Sequence, residues 1–249
     1  MEIREATDDD VETIRSIAQR SLESTYTDFL DQETVDDAIE QWYGDAFGDD
    51  LADKHSLILL LERDGEVVGF SQSDLVGQRH GTGRILWLHI DPDHRGGGIG
   101  VRLLVRTREQ LLEKGADDIQ AFVLADNEGG NEFYAQNGFE QAGQREVEIG
   151  EETFTESVYA EGAIDDEGWG TVDELEVDGE TVFVSYGEAA RGAKSPFYRA
   201  YETEDREELY GWFCGNCDSM DNSMDTMGRI ECNNCGNRRK ATRWDASYL

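Results

Sequence analysis

Proline, lysine and cysteine are scarce in this chain, and each scarcity excludes something. Two prolines in 249 residues leave no extended proline-rich linker. Only Lys54, Lys114, Lys194 and Lys240 are lysines, so 18 of the 22 basic side chains are guanidinium groups. No apolar run approaches the roughly 20 residues that a membrane-spanning helix needs. Met1-Glu2-Ile3-Arg4-Glu5 has none of the marks of a secretory signal. The expectation is a cytoplasmic protein with no membrane partner. The four cysteines all fall between positions 214 and 235. A disulfide set would be out of place in a reducing compartment, which leaves metal binding as the reading to test. No internal repeat and no low-complexity segment is present.

Acidic residues are abundant. There are 56, for a formal net charge of -34. They alternate with apolar residues at helix and strand periods, which argues against acidic disordered tails. Such a chain repels itself at low salt, and multimolar salt screens that repulsion within a few ångströms. The composition fits a halophilic protein and resembles that of haloarchaeal cytoplasmic proteins.

The most informative stretch is Arg95-Gly96-Gly97-Gly98-Ile99-Gly100. It follows the apolar run Ile85–Ile90 and opens an amphipathic run from Val101 to Leu112. Strand, glycine turn and helix in that order make an anion cradle. The first amides of a helix lack partners inside it, and the helix dipole adds positive charge there. Arg95 adds a charged fork that can reach a phosphate. A dinucleotide pattern starting at Gly96 would need a glycine at position 101, which is Val101. The triphosphate pattern needs Gly-Lys-Ser/Thr, and no lysine is nearby. Arg-x-x-Gly-x-Gly remains.

Periodicity predicts a strand over Glu2–Ala6 and a helix over Val11–Leu22 capped by Thr7 or Asp8. A second helix follows over Glu33–Phe47. Strands follow over Ser56–Glu62 and Val67–Asp74, joined by Asp64-Gly65. Gln78–Gly83 reads as a polar loop. Next come the strand Ile85–Ile90, the glycine turn and a helix to about Lys114. Then come a strand over Ile119–Leu124, a helix over Asn127–Gln136, and a hairpin of Gln144–Ile149 with Thr153–Tyr159. The order is β-α-α-β-β-β-α-β-α-β-β. Residues 1–162 form the first domain, 163–170 an acidic linker, and 171–249 a β-rich second domain. That domain opens with a hairpin, Thr171–Val177 and Thr181–Tyr186 about Asp178-Gly179, and ends in a cysteine-bearing tail.

The first domain resembles the GNAT superfamily of acetyl-CoA-dependent N-acetyltransferases. Leu88-His89-Ile90-Asp91-Pro92-Asp93-His94-Arg95-Gly96-Gly97-Gly98-Ile99-Gly100 is similar to the family's strand-4 and pyrophosphate-loop motif. Asn127-Glu128-Gly129-Gly130-Asn131-Glu132-Phe133-Tyr134-Ala135-Gln136-Asn137-Gly138-Phe139 is similar to its Asn-x-x-Ala-x-x-x-Tyr-x-x-x-Gly-Phe segment, with Gly130 in place of the usual alanine. The resemblance implies an α/β fold, a mixed α+β layer with a central, mostly antiparallel sheet flanked by helices. It implies that Arg95, Gly96, Gly97, Gly98, Ile99 and Gly100 hold the CoA pyrophosphate, chiefly through backbone amides. The backbone of Leu88 and Ile90 would pair with the pantetheine arm where strand 4 splays from strand 5. Asn127 would sit beside that arm or cap its helix. Tyr134 would protonate the leaving thiolate, a task suited to a phenol. Family members often carry a glutamate early on strand 4. Here that region reads Gly83-Arg84-Ile85-Leu86, without a carboxylate. His89 is the in-strand candidate for the general base, against packing on Trp87. Asp74, the carboxylates of the Glu146–Glu156 hairpin and a water chain are further options. Tyr26, placed in the loop after the first helix, shapes the acceptor pocket or packs.

Cys214-Gly215-Asn216-Cys217 and Cys232-Asn233-Asn234-Cys235-Gly236, with 14 residues between the pairs, are spaced for a zinc ribbon. Two Cys-x-x-Cys turns can set four thiolates tetrahedrally about Zn²⁺, and an iron site is the alternative. The expected role is structural, since metal binding adds folding free energy to a thin-cored unit. Arg229, Arg238, Arg239, Lys240 and Arg243, with Trp244 beside them, form a basic stretch. Intramolecular pairing with the acidic first domain is its expected use. Nucleic acid is not the expected partner, because multimolar salt screens phosphate contacts; a protein partner through the ribbon stays open. Residues 171–249 also resemble an uncharacterised haloarchaeal C-terminal domain, which carries no function. The expected activity is acetyl transfer from acetyl-CoA to an unidentified primary amine, small or proteinaceous. The alternative is a catalytically inactive acyl-CoA sensor or adaptor whose ribbon contacts protein or nucleic acid.

Overall fold

The computed structural model describes residues 1–27, 29–44, 47–77, 81–150, 152–161, 172–177, 179–190, 192–225 and 228–239. They fall into two compact units, the first of residues 1–76 and 81–161 and the second of Gly77 with the residues from 172 to 239.

The first unit is a seven-stranded sheet with helices. Its elements are β1 (Glu2–Glu5), α1 (Val11–Tyr26), α2 (Gln32–Tyr43), α3 (Phe47–Ala52), β2 (Ser56–Arg63) and β3 (Glu66–Val76). They continue with β4 (Gly81–Ile90), α4 (Ile99–Glu113), β5 (Ala116–Leu124), α5 (Glu128–Gln136), β6 (Phe139–Ile149) and β7 (Glu152–Glu161). The strand order is β1-β2-β3-β4-β5-β7-β6. All neighbours pair antiparallel except β4 and β5, which run parallel. A parallel pair needs a crossover, and α4 supplies it. This is the expected mixed layer with a mostly antiparallel sheet.

The run Leu57-Ile58-Leu59-Leu60-Leu61 is continuously apolar because β2 is buried on both faces. Leu57, Leu59 and Leu61 join Ile85, Leu103 and Leu111 on the side of α4. Ile58 and Leu60 join Ile14, Ile17 and Tyr43 on the side of α1 and α2.

Several boundaries differ from the sequence reading. Helix α1 runs on to Tyr26, which is therefore its last residue rather than part of a loop. Helix α2 stops at Tyr43, and Phe47 opens a separate turn of helix. Gly44 leaves the helix in extended backbone, where a side chain would strike the Glu40 carbonyl oxygen. Gly81–Gly83, expected in a loop, belong to β4, paired with β3 and β5. Tertiary pairing there outweighs the glycines' weak strand preference.

In the second unit, β8 (Val172–Val177), β9 (Glu180–Ala190), β10 (Phe197–Tyr201) and β11 (Leu209–Cys214) form an antiparallel meander. Beyond it β12 (Asn222–Met224) pairs with β13 (Ile230–Cys232). The expected hairpin is β8 and β9, and the expected tail contains β10 and β11. The acidic linker 163–170 lies outside the described residues, as do Lys240, Arg243 and Trp244. Among the described residues no helix is long and apolar enough to cross a membrane.

Candidate active site and cysteine cluster

Strands β4 and β5 part company halfway along. Their ladder runs from Gly81 opposite Ala116 to Ile85 opposite Ala121 and stops there. Beyond it β4 stays paired with β3 as far as Ile90, and β5 with β7 as far as Leu124. The sheet is thus split into a V, and a cleft of about 450 Å³ occupies the split.

One extra residue controls what faces the cleft. The β3–β4 ladder pairs Gln72 with Trp87 and Ser73 with Ile85, skipping Leu86. Such a bulge inverts the alternation of side chains. Before it, Ile85 faces the α4 side; after it, Leu88 and Ile90 take that side, while Trp87 packs on the α1–α2 side. His89 follows Trp87.

The glycine loop closes one end. Gly96, Gly97 and Gly98 have φ of 92°, 61° and 75°, three left-handed residues in succession. A Cβ at any of them would meet no protein atom within 4 Å, so conformation and not crowding requires glycine here. Gly98 is the N-cap of α4, whose first turn carries no acidic residue. A Cβ on Gly100 would lie 3.4 Å from the Phe133 ring. The Arg95 side chain turns to α1. It donates to the Ile90 carbonyl (3.2 Å), Ser21 Oγ (3.2 Å) and Thr25 Oγ1 (3.0 Å), tying the loop to the helix. Arg20 holds buried Asp91, where the loop begins, at 2.5 Å.

Asn127, Tyr134 and Tyr26 meet in the cleft wall. Asn127 accepts from the Gly130 amide at 2.9 Å, capping α5, and donates to the Tyr26 hydroxyl at 3.2 Å. Gly130 is needed for this: a Cβ there would fall 2.6 Å from Asn127 Nδ2 and 2.8 Å from Val123 Cγ1. Tyr134 is buried against Phe133, Phe139 and Tyr159. Burial raises its phenol above the usual range, and burial pushes Tyr26 up to about 12.

His89 is 3% exposed and stacks on Trp87 at 5.2 Å. Its Nε2 meets the Tyr43 hydroxyl at 3.2 Å and its Nδ1 meets Ser21 Oγ at 3.0 Å. Burial, helped by the charge of Arg95, lowers its pKa to about 3. Of the other carboxylates considered, Asp74 is held by Arg84 at 2.6 and 2.8 Å. Glu156 of β7 lines the cleft.

In the second unit the four cysteine sulfurs lie within 4.8 Å of one another. Cys214 and Cys235 are 3.7 Å apart, Cys217 and Cys232 3.5 Å, and none is disulfide-bonded. A tetrahedron of ~2.3 Å zinc–sulfur bonds has edges near ~3.8 Å, so the donor set fits. The Asn237 side chain donates to Cys214 Sγ at 3.5 Å. Arg238 pairs with Glu231 at 2.8 Å and Arg239 donates to the Gly228 carbonyl, so these two cations are used inside the unit itself.

The sequence pattern described as "Acetyltransferase (GNAT) family" matches residues 13–139. A pattern described only as a family of unknown function (DUF5816) matches residues 178–249. The chain is 25% identical over 144 residues to the spermidine N(1)-acetyltransferase of Thermoplasma acidophilum, covering 56% of this chain and 88% of that protein. Over 90 residues it is 32% identical to the mycothiol acetyltransferase of Clavibacter sepedonicus, 36% of this chain and 29% of that protein. Among solved structures, the PaiA N-acetyltransferase of T. acidophilum in complex with coenzyme A superposes with a TM-score of 0.53 at 23% identity. It spans 62% of this chain and 96% of its own. A GCN5-related N-acetyltransferase from Rhodopseudomonas palustris gives 0.55 at 21%, over 65% and 95%. The fold, the split sheet and the match over residues 13–139 lead to one conclusion: this chain belongs to the GNAT family of acetyl-CoA-dependent acetyltransferases.

Proposed function

We propose that the protein transfers the acetyl group of acetyl-CoA to a primary amine by direct attack of the neutral amine on the thioester. The observation that carries this reading is the cleft through the β4–β5 split, with the left-handed glycine loop at one end and Tyr134 in its wall. The amides from Gly96 to Gly100 hold the pyrophosphate, and Arg95 anchors their loop to α1. The open edge of β4 at Leu88 and Ile90 takes the pantetheine arm. Tyr134, kept protonated by burial, gives its proton to the departing thiolate. Asn127 caps α5 and orients Tyr26. An amine acceptor is consistent with the relative named for spermidine.

His89 suits the base role poorly. Both ring nitrogens are engaged, and a group that protonates near pH 3 draws little from an ammonium ion. In this reading His89 is a neutral link between α2 and Ser21, and the amine proton leaves through water. The same observation favours a second reading, an acyl-CoA sensor without catalysis. Release of CoA thiol over a panel of amines in multimolar KCl separates the two, with acetyl-CoA affinity measured beside it. Turnover is expected; tight binding without turnover on any amine would establish the sensor.

Cys214, Cys217, Cys232 and Cys235 would hold a structural Zn²⁺, which supplies folding free energy to a unit whose apolar cluster about the cysteines is small. One zinc per chain is expected, with loss of second-unit structure on chelation. The acidic composition supports a cytoplasmic, halophilic protein that folds best in concentrated KCl.

A further inference from the structure

The wall of the cleft that β5 and β7 supply has its own chemistry. Across the β5–β7 ladder Glu156 sits opposite Leu124, and across β6–β7 opposite Arg145. Its side of the sheet is that of Leu124 and of the α1–α2 layer. Glu156 is 7% exposed and is the one carboxylate among the described residues lining the cleft, alongside the aromatic rings of Tyr26, Trp87 and Phe122. Arg145 places both Nε and Nη2 on Oε2, each at 2.8 Å, and lies 3.9 Å over the Phe122 ring. Among the described residues, Oε1 receives no hydrogen bond.

A buried carboxylate oxygen among aromatic faces stabilises positive charge. Burial matters in so acidic a chain, because surface carboxylates are screened by salt and a buried one much less. The reacting nitrogen must shed its proton before it attacks, so stabilising charge on that nitrogen would oppose the reaction. The subsite therefore suits a second, non-reacting cation.

We propose that Glu156, through Oε1 and with Tyr26 and Trp87 beside it, binds a second ammonium group of the acceptor, making the preferred substrate a diamine or longer polycation. This rests on the amine-acceptor reading above.

The test compares 1,4-diaminobutane with 4-amino-1-butanol, which presents one amine and a neutral tail. With wild-type protein in concentrated KCl and saturating acetyl-CoA, kcat/KM should favour the diamine by about tenfold or more, mainly through KM. Glu156→Gln should bring that ratio to within about twofold of unity, and Glu156→Asp should keep part of the preference. Arg145→Gln, which releases Oε2 as well, should raise it. Calorimetric titration of the diamine into CoA-loaded protein checks the subsite without turnover, and Glu156→Gln should weaken that binding about tenfold. An unchanged ratio and unchanged diamine affinity in Glu156→Gln would overturn the proposal while leaving amine acetylation intact. A loss of kcat on both acceptors with the ratio preserved would assign Glu156 to proton transfer and also overturn it. Diamine binding without any CoA release would overturn the enzymatic reading and leave the subsite standing.

Discussion

The two ends of the cleft are made differently. At the glycine loop the chain presents backbone: three left-handed glycines followed by the start of a helix, all within six consecutive residues. Around Glu156 it presents side chains from α1, β4, β5 and β7, far apart in sequence and converging only in the folded sheet. A backbone site is a local property and tolerates change elsewhere. A side-chain site depends on every register that brings its members together.

The largest expected effect is at Tyr134, in the cleft wall. Tyr134→Phe removes the proposed proton donor and little else, and should lower kcat by about 10² or more with acetyl-CoA affinity nearly unchanged. Stopped-flow detection of released thiol checks this. Loss of affinity with kcat intact would make Tyr134 a packing residue.

Gly97→Ala should act at the backbone end alone. With φ of 61° and no protein atom within 4 Å of an added Cβ, the substitution strains the loop and crowds whatever the loop binds. We expect a stability loss of about 1 kcal/mol and a KM for acetyl-CoA raised about tenfold, with the diamine preference unmoved. A change in acceptor preference would show that the two ends are not separable.

The smallest effect concerns His89, which lines the cleft beside Trp87 with both ring nitrogens engaged. The folded protein binds its proton only near pH 3, the unfolded chain near the ordinary 6.5. Between these values the unfolded state carries the extra proton. The stability conferred by a neutral His89 is therefore complete above about pH 6.5 and is lost as pH falls toward about 3. His89→Gln should lower stability at neutral pH yet show a shallower acid loss, read as denaturant midpoints between about pH 6 and pH 4. Parallel curves for variant and wild type would mean that His89 titrates normally.

The element order of the first unit was legible because its strands and helices carry strong periods and clear breakers, such as Asp64-Gly65 at the β2–β3 turn. The ends were less so. The continuation of α1 to Tyr26 reflects burial of that side chain in the α1–α2 layer, which no local pattern announces. The environment of His89 was hidden by Leu86. A bulge leaves no sure mark in an apolar run, yet this one decides the side on which every later residue of β4 falls. Glu156 was one of several hairpin carboxylates in the sequence, and only the β5–β7 register singles it out. Gly130 reads as a weakening substitution in sequence; in the fold, Asn127 and Val123 occupy the space an alanine methyl would need.

The parts whose geometry is local follow from a few neighbouring residues. A run of glycines before a helix start, an asparagine at a cap and two Cys-x-x-Cys turns each set their own backbone within a few residues. Only the folded sheet settles the parts that depend on pairing between distant strands: where the sheet splits, which way β4 faces after its bulge, that His89 bonds Ser21 of α1 and Tyr43 of α2, and that Glu156 of β7 lines the cleft. Strand pairing joins residues with no constraint between them until the sheet forms, so these choices come into being only with the core that buries them.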